Sequence, residues 1–380
     1  MHTGRFAPSP TGPLHLGSLV AAVGSWLFAR AAGGRWLVRM EDIDTPRVVS
    51  GSAEEILAAL QRYGLEWDGE IVWQSRRTSL YERAVVTLRE QGLVYDCACS
   101  RADLLRAASA PLGAEPVYPG TCRNGIADGK QARAIRFRAP DQVITFEDRL
   151  EGHVEEDVAE RTGDFVVRRA DGLFAYQLAV VVDDAEQGVT EVVRGADLLH
   201  STARQIALQR ALGYPEPRYA HLPLVLNPDG SKLGKRDGAL PLPTLDDARV
   251  RETLALALRH LGMDAAEDHP RAMLEAALRL HQGKKMSHDI RNNAEKSQFE
   301  TTVEGHTAYA SYDLEAPNRI VFTHTEVPDE LAGKGIGGAL ARFALDHARE
   351  QGLRVVPHCS FVASFIKKHP EYQDLVTTGA

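Results

Sequence analysis

The sequence is most informative first for what it has little of. No apolar run approaches the roughly 18–20 residues that a membrane-spanning helix requires, so no such helix is expected. The first residues, Met-His-Thr-Gly-Arg-Phe, lead straight into Pro/Gly-rich sequence without an apolar stretch, which argues against a secretory signal. Cysteine is scarce, with 4 in 380 residues, too few for a disulfide scaffold. Positive charge is not in excess either: the formal net charge is −8. Whole-chain electrostatics therefore do not attract nucleic acid, and any RNA partner has to be held by a local basic patch. The expected compartment is the cytoplasm, and the expected assembly is a monomer.

What remains is an ordinary globular composition, 44% hydrophobic and 25% charged, in a chain long enough for two or three folded units. From Gly4 to about residue 280, short β-rich runs alternate with longer amphipathic stretches, the pattern of an α/β domain. Residues 35–40 read as a buried strand and 53–63 as a helix with Ser52 as its N-cap. The β-branched run 178–183 reads as a strand, as does 191–193. Helical spacing marks 246–261 and 271–280. Residues 281–292 are polar and aperiodic and read as a linker. Beyond it, 293–380 form a second unit: strands at 298–303, 306–313 and 319–327, a Gly-rich turn, a helix at 338–350, a strand at 354–357 and a short helix at 362–369.

Two segments carry the chemistry. The first is Arg5-Phe6-Ala7-Pro8-Ser9-Pro-Thr-Gly-Pro-Leu-His15-Leu-Gly17-Ser18. It predicts a strand, a proline-braced turn and then a helix from about His15 to Arg30, whose N-terminus suits phosphate groups. His15 there is placed to donate to a phosphate oxygen as charge builds. The second is Asn227-Pro-Asp-Gly-Ser-Lys232-Leu-Gly-Lys235-Arg-Asp-Gly238, a basic Gly-rich loop. Two lysines three apart on such a loop suit a polyphosphate and a departing pyrophosphate. Cys97, Cys99 and Cys122 cluster in sequence while Cys359 stands apart, and a cluster of this kind in a reducing compartment is more often a metal site than a disulfide set.

In combination these motifs resemble the class I aminoacyl-tRNA synthetases. His15-Leu-Gly-Ser18 is similar to their HIGH element and Lys232-Leu-Gly-Lys-Arg236 to their KMSKS loop, though neither follows the strict spelling. The Arg-Phe-Ala-Pro-Ser-Pro-Thr-Gly opening narrows the resemblance to the glutamyl/glutaminyl branch. It covers about residues 1–280 and implies a Rossmann-type nucleotide-binding fold with an insertion at about 95–175. The branch's glutamate pocket would then be Arg5, Phe6, Ala7, Pro8, Ser9, Glu41, Tyr176 and Arg194, with His15, Gly17, Ser18 and Lys235 toward ATP and its Mg2+. His15, Lys232 and Lys235 would be the catalytic groups.

The branch divides further on. The helical portion ends near residue 280, with neither a large helical anticodon-binding region nor β-barrels after it, which resembles the glutamyl-Q tRNA(Asp) synthetase family. That resemblance implies activation of L-glutamate with ATP and its transfer to queuosine at the wobble position of tRNA(Asp). It also implies a zinc site from Cys97, Cys99, Tyr118 and Cys122; the other reading of these residues is buried free thiols beside an apolar-packed tyrosine. Two alternatives stay open: a truncated glutamyl-tRNA synthetase charging tRNA(Glu), and a non-catalytic synthetase-like regulator. Arg123, Lys130, Arg133, Arg136, Arg138, Arg168 and Arg169 form a candidate phosphate track for RNA.

The last unit, with Val327-Pro-Asp-Glu-Leu-Ala-Gly333-Lys-Gly335-Ile-Gly337-Gly338 between strand and helix, resembles the short GNAT-like N-acetyltransferases. This implies a small α+β domain with acetyl-CoA at Gly333, Gly335, Gly337 and Gly338. Ala332 stands where that motif usually has Arg or Gln. Cys359 is either a reactive group or a small buried hydrophobe.

Overall fold

The structure is a computed structural model. It describes residues 2–100, 103, 117–227, 233, 240–265, 267–284, 290–303, 305–315, 318–331 and 336–377. The chain forms two compact units: residues 1–149 with 153–281, and residues 282–380 with 150–152.

The first unit begins with β1 (Thr3–Phe6), helix α1 (Leu16–Ala31) and β2 (Arg35–Met40). Helix α2 (Ser52–Arg62), β3 (Val72–Trp73) and α3 (Thr78–Glu90) follow. Strands β1, β2 and β3 pair in parallel. Next come β4 (Val94–Cys97), β5 (Ala134–Phe137), β6 (Ile144–Asp148), β7 (Gly152–Glu156), the one-turn α4 (Val158–Arg161) and β8 (Phe165–Arg168). Of these, β4, β5 and β8 form an antiparallel sheet inserted between the two halves of the nucleotide-binding-like fold. The second half has α5 (Tyr176–Glu186), β9 (Glu191–Gly195), α6 (Leu199–Leu212) and β10 (Arg218–Leu222). Strand β10 runs parallel to β9 and touches β6, with His221 opposite Arg194 and Tyr219 opposite Asp148. The backbone N–H of Thr190 donates to Thr3 O at 2.9 Å, which brings β9 alongside β1. Helices α7 (Asp247–His260) and α8 (Pro270–Lys284) complete the series.

Helix α1 forms because Ala, Leu and Val fill it and because the His15 side chain accepts the Gly17 N–H at its start. It is buried on nearly every side, and fully buried residues such as Leu19, Val23 and Leu27 each contribute roughly 2 kcal/mol. Gly24 in this helix lies against Leu222 of β10; a Cβ there would come within 2.4 Å of the leucine's Cδ1. Helix α2 is amphipathic, with Glu54 and Glu55 in its first turn, where the helix dipole favours acids. Its N-cap is Gly51 in the left-handed region, not Ser52; the Ser52 hydroxyl instead accepts the N–H of Gly12 at 2.9 Å and ties the proline-braced turn to the helix.

A second correction concerns residues 178–183, expected as a strand and found inside α5. Its valines are buried among α3, α6 and neighbouring strands, and tertiary packing overrides their local β preference.

The second unit holds β11 (Arg291–Asn293), β12 (Gln298–Val303), β13 (His306–Glu315) and β14 (Arg319–Glu326) as an antiparallel meander. After it come α9 (Ile336–Glu350), β15 (Arg354–Pro357), which pairs in parallel with β14, and α10 (Ser360–Lys368). Phe299, Phe322, Leu340 and Leu345 anchor its core. Among the described residues no helix is long and apolar enough to cross a membrane.

Candidate active site and thiol cluster

A cavity of about 250 Å3 opens where the ends of β1, β9 and β10 meet the start of α1. Open parallel sheets bind ligands at such strand ends. Arg5, Phe6, Ala7, Pro8, Ser9, His15, Gly17, Ser18, Tyr176 and Arg194 all line it. Glu41 does not line the cavity but sits beside it: its N–H donates to Pro8 O at 2.9 Å, and its carboxylate accepts from Arg39 at 3.4 Å. Lys232 and Lys235 lie outside the described residues. Leu233, between them, does line the cavity, and its N–H is held by Val225 O at 2.9 Å.

The charges around this cavity form a buried network. Asp184 of α5 accepts from Arg5 Nε at 3.1 Å and from Arg39 Nη1 at 2.8 Å. Its neighbour Asp183 accepts from Gln74 at 2.8 Å, Arg77 at 2.6 Å and Tyr81 at 2.8 Å. Burial pushes the Asp184 carboxyl up, but Arg5 and Arg39 outweigh it and leave it below its ordinary range. For Glu41 the balance goes the other way: burial raises it despite Arg39 and Arg5. Tyr176 is raised by burial and by the nearby Glu41. Such a pocket keeps Tyr176 a neutral phenol.

Arg194 is held differently. Its Nε donates to His221 Nε2 at 3.1 Å, its Nη1 to Gln205 Oε1 at 2.8 Å and its Nη2 to Thr202 Oγ1 at 2.8 Å. His15 Nδ1 accepts from Gly17 N at 3.1 Å, so the neutral ring carries its proton on Nε2. A backbone-capped histidine with an N–H donor at a helix start is suited to a phosphate oxygen.

The thiol cluster is built where β4 ends. The sulfurs of Cys97, Cys99 and Cys122 lie within 4.8 Å of one another. Cys99 and Cys122 are 3.6 Å apart, and the Tyr118 hydroxyl is 3.5 Å from Cys97 Sγ and 4.0 Å from Cys99 Sγ. Tetrahedral zinc, with bonds of about 2.3 Å to sulfur and 2.0 Å to oxygen, needs edges of about 3.8 Å between sulfurs and 3.5 Å between sulfur and oxygen. The three separations given lie within about 0.5 Å of those edges, near enough for the groups to hold such an ion, and none of the cysteines is in a disulfide. Burial raises the Cys97 thiol, but hydrogen bonds from Tyr118 and Arg136 overcome it and leave it below its ordinary value. Burial and the Cys122 contact push Cys99 up to about 11.

Arg136 belongs to this cluster and is not turned outward as a phosphate track requires. Its Nε donates to Cys97 Sγ at 3.3 Å, and its guanidinium stacks 3.7 Å from the centre of the Tyr118 ring. Arg138 is spent on the carbonyls of Gly92 and Arg123, and Arg169 on Asp171 and Asp44. Lys130 and Arg133 remain exposed.

In the second unit, Gly333 and Gly335 lie outside the described residues. Gly337 and Gly338 fall in the first turn of α9, and a Cβ on Gly337 would come within 2.9 Å of the Phe361 ring. Cys359 is buried, 3.3 Å from the Thr325 hydroxyl.

The sequence reading missed Arg39, Asp183, Asp184, Asp148 and His221. The signal available was two consecutive acids closing an apolar run, Val-Val-Val-Asp183-Asp184, which a buried network explains and a solvated strand does not.

Residues 2–298 match the family described as tRNA synthetases class I (E and Q), catalytic domain. Residues 298–375 match the GCN5-related N-acetyl-transferase family. The chain is similar to the glutamyl-Q tRNA(Asp) synthetase of Aromatoleum aromaticum, 55% identical over 278 residues, which span 73% of this chain and 85% of the relative. The same enzyme from Thiobacillus denitrificans is 58% identical over 259 residues, 68% of this chain and 85% of the relative. Among solved structures, a glutamate-tRNA synthetase from Elizabethkingia anophelis superposes with a TM-score of 0.61 at 29% identity. It covers 73% of this chain, while the chain covers 65% of that enzyme. On this fold, this cleft and these relatives, the chain belongs to the class I tRNA synthetases (E and Q), on the glutamyl-Q tRNA(Asp) synthetase branch.

Proposed function

We propose that the first unit activates L-glutamate with ATP and transfers it to the cyclopentenediol of queuosine at the wobble position of tRNA(Asp). The observation that carries this reading is a single cavity lined by Arg5, Arg194 and the capped helix start at His15, with Leu233 of the lysine loop in its wall. A glutamate oxygen attacks the α-phosphorus of ATP, the bond to the bridging oxygen breaks, and pyrophosphate leaves with the electron pair. The Nε2–H of His15 and the ammonium groups of Lys232 and Lys235 stabilise that charge. A queuosine hydroxyl then attacks the acyl carbon of glutamyl-adenylate, releasing AMP, with no covalent enzyme intermediate. Glu41, beside the cavity and bonded to Arg39, is the acid that would favour the substrate ammonium there, and Ser9 and Tyr176 line the pocket.

Zinc is the proposed ion for Cys97, Cys99, Tyr118 and Cys122, where it would hold the inserted sheet in shape. The second unit is proposed to bind acetyl-CoA through its Gly333–Gly338 turn.

Glutamate-dependent ATP–pyrophosphate exchange tests the first half. Lys235→Ala is expected to lose about 100-fold, the worth of one charge-stabilising donor. No exchange in the native chain would leave a binding module. Radiolabelled glutamate should then appear on tRNA(Asp) only when queuosine is present; label on the 3′ end of tRNA(Glu) would favour a truncated glutamyl-tRNA synthetase instead.

A further inference from the structure

We propose that His221, oriented by Asp148, is a positioning residue that fixes Arg194 for a substrate carboxylate without cancelling its charge. The inference rests on the glutamate reading and adds two residues to it.

The two arginines of the cavity differ in their counter-groups. Arg5 is neutralised by direct contact with Asp184. Arg194 has four hydrogen bonds, to His221, Gln205, Thr202 and the Leu198 carbonyl, and every one of these acceptors is uncharged when the ring is neutral. With five N–H donors, it keeps one on Nη1 without a partner among the described residues. The nearest acid in this chain of contacts, Asp148, stands one imidazole further away.

The tautomer follows from the bonding pattern. The backbone N–H of His221 donates to Asp148 Oδ1 at 3.1 Å, and ring Nδ1 faces Oδ2 at 2.6 Å. Nδ1 therefore carries the hydrogen, and Nε2 offers its lone pair to Arg194. All three side chains are buried, and the parallel register sets His221 directly across from Arg194. Burial, opposed by the bond to Asp148 and reinforced by Arg194, holds the ring below its ordinary proton affinity. Gln205 is oriented in turn, since its amide nitrogen donates to Gln177 Oε1 at 2.8 Å and so leaves its oxygen to the guanidinium.

Three variants of the full chain separate positioning from general damage. His221→Gln can set an amide oxygen near the place of Nε2, whereas His221→Asn is too short to reach Arg194. In Asp148→Asn the amide oxygen stays on the His221 backbone N–H, so the NH2 group faces Nδ1, and the ring must shift its hydrogen to Nε2. The same logic holds for the buried carboxylate of a catalytic triad. His221→Asn and Asp148→Asn are expected to raise KM for glutamate about tenfold in pyrophosphate exchange, the order of one lost bond to a charged group, with KM for ATP nearly unchanged. His221→Gln should recover most of the loss. Equal rises in both KM values, or no rise in either, overturn the proposal. Ring nitrogen chemical shifts of His221 decide it independently of activity: a hydrogen on Nδ1 in the native protein is expected, and one on Nε2 sinks the idea. Absence of any glutamate-dependent exchange in the native chain would sink the glutamate reading instead, and the ring shifts would still report on His221.

Discussion

The cleft and the thiol cluster handle buried charge in opposite ways. Around the cleft, Arg5 and Arg39 are matched by Asp184, Asp183 and Glu41, so the desolvation of Asp184 is offset within the protein and that of Glu41 only in part. At the thiol cluster, three sulfurs and a phenol converge with one guanidinium beside them, an arrangement that favours a thiolate at Cys97 and suits a further cation. The difference teaches that the cleft can hold its shape before any substrate arrives, whereas the inserted sheet carries a thiol cluster whose proposed zinc would tie its geometry to an ion.

Two substitutions break or sharpen that contrast, and a third probes the second unit. Asp184→Ala removes the shared anion and leaves Arg5 buried without its partner; a loss of about 3–5 kcal/mol is expected in denaturant unfolding, with glutamate activation falling too. A change under 1 kcal/mol in that experiment would mean that the network is not what holds the cleft. If zinc occupies the cluster as proposed, Arg136→Gln should weaken it about 10–100-fold in competition with a chromophoric chelator, because the Cys97 thiolate loses its cationic neighbour. Unchanged affinity there would separate Arg136 from the metal altogether.

The smallest effect belongs to Glu300 in the second unit, a carboxylate held by Asn293, Gln298 and Arg291. Those hydrogen bonds bring it down from 4.5 to about 2. A folded value below the unfolded one means stability that is complete above pH 4.5 and lost as pH falls toward 2. Glu300→Gln should cost about 1 kcal/mol near neutrality, and the gap to the native chain should close in acid thermal melts. A gap that stays constant down to the lowest pH would refute the assignment.

What could be read in advance was what is local. The turn, the helix start and the ten expected residues that line the cavity, at 5–9, 15, 17, 18, 176 and 194, announce themselves through short motifs, because backbone shape around the turn is set by proline, glycine and the cap. The Arg5–Asp184 pair spans 179 positions, and no motif of either segment encodes that meeting. Val180, Val181 and Val182 misled for a related reason: their β-branched preference is worth less than the packing that surrounds α5 on all sides. Arg136 looked like a surface cation because its neighbours in sequence are basic, while its neighbours in space are sulfur and phenol. His221 carried no sequence signal beyond its place in a short strand.

One missing methyl group has reach beyond its own helix. Gly24 lets Leu222 press into α1, and Leu222 adjoins His221 on β10. The helix proposed to face the nucleotide and the strand proposed to serve the amino acid are thus geared together at van der Waals distance. Widening that mesh by a single carbon is expected to disturb both proposed subsites at once, from a position outside the cavity lining.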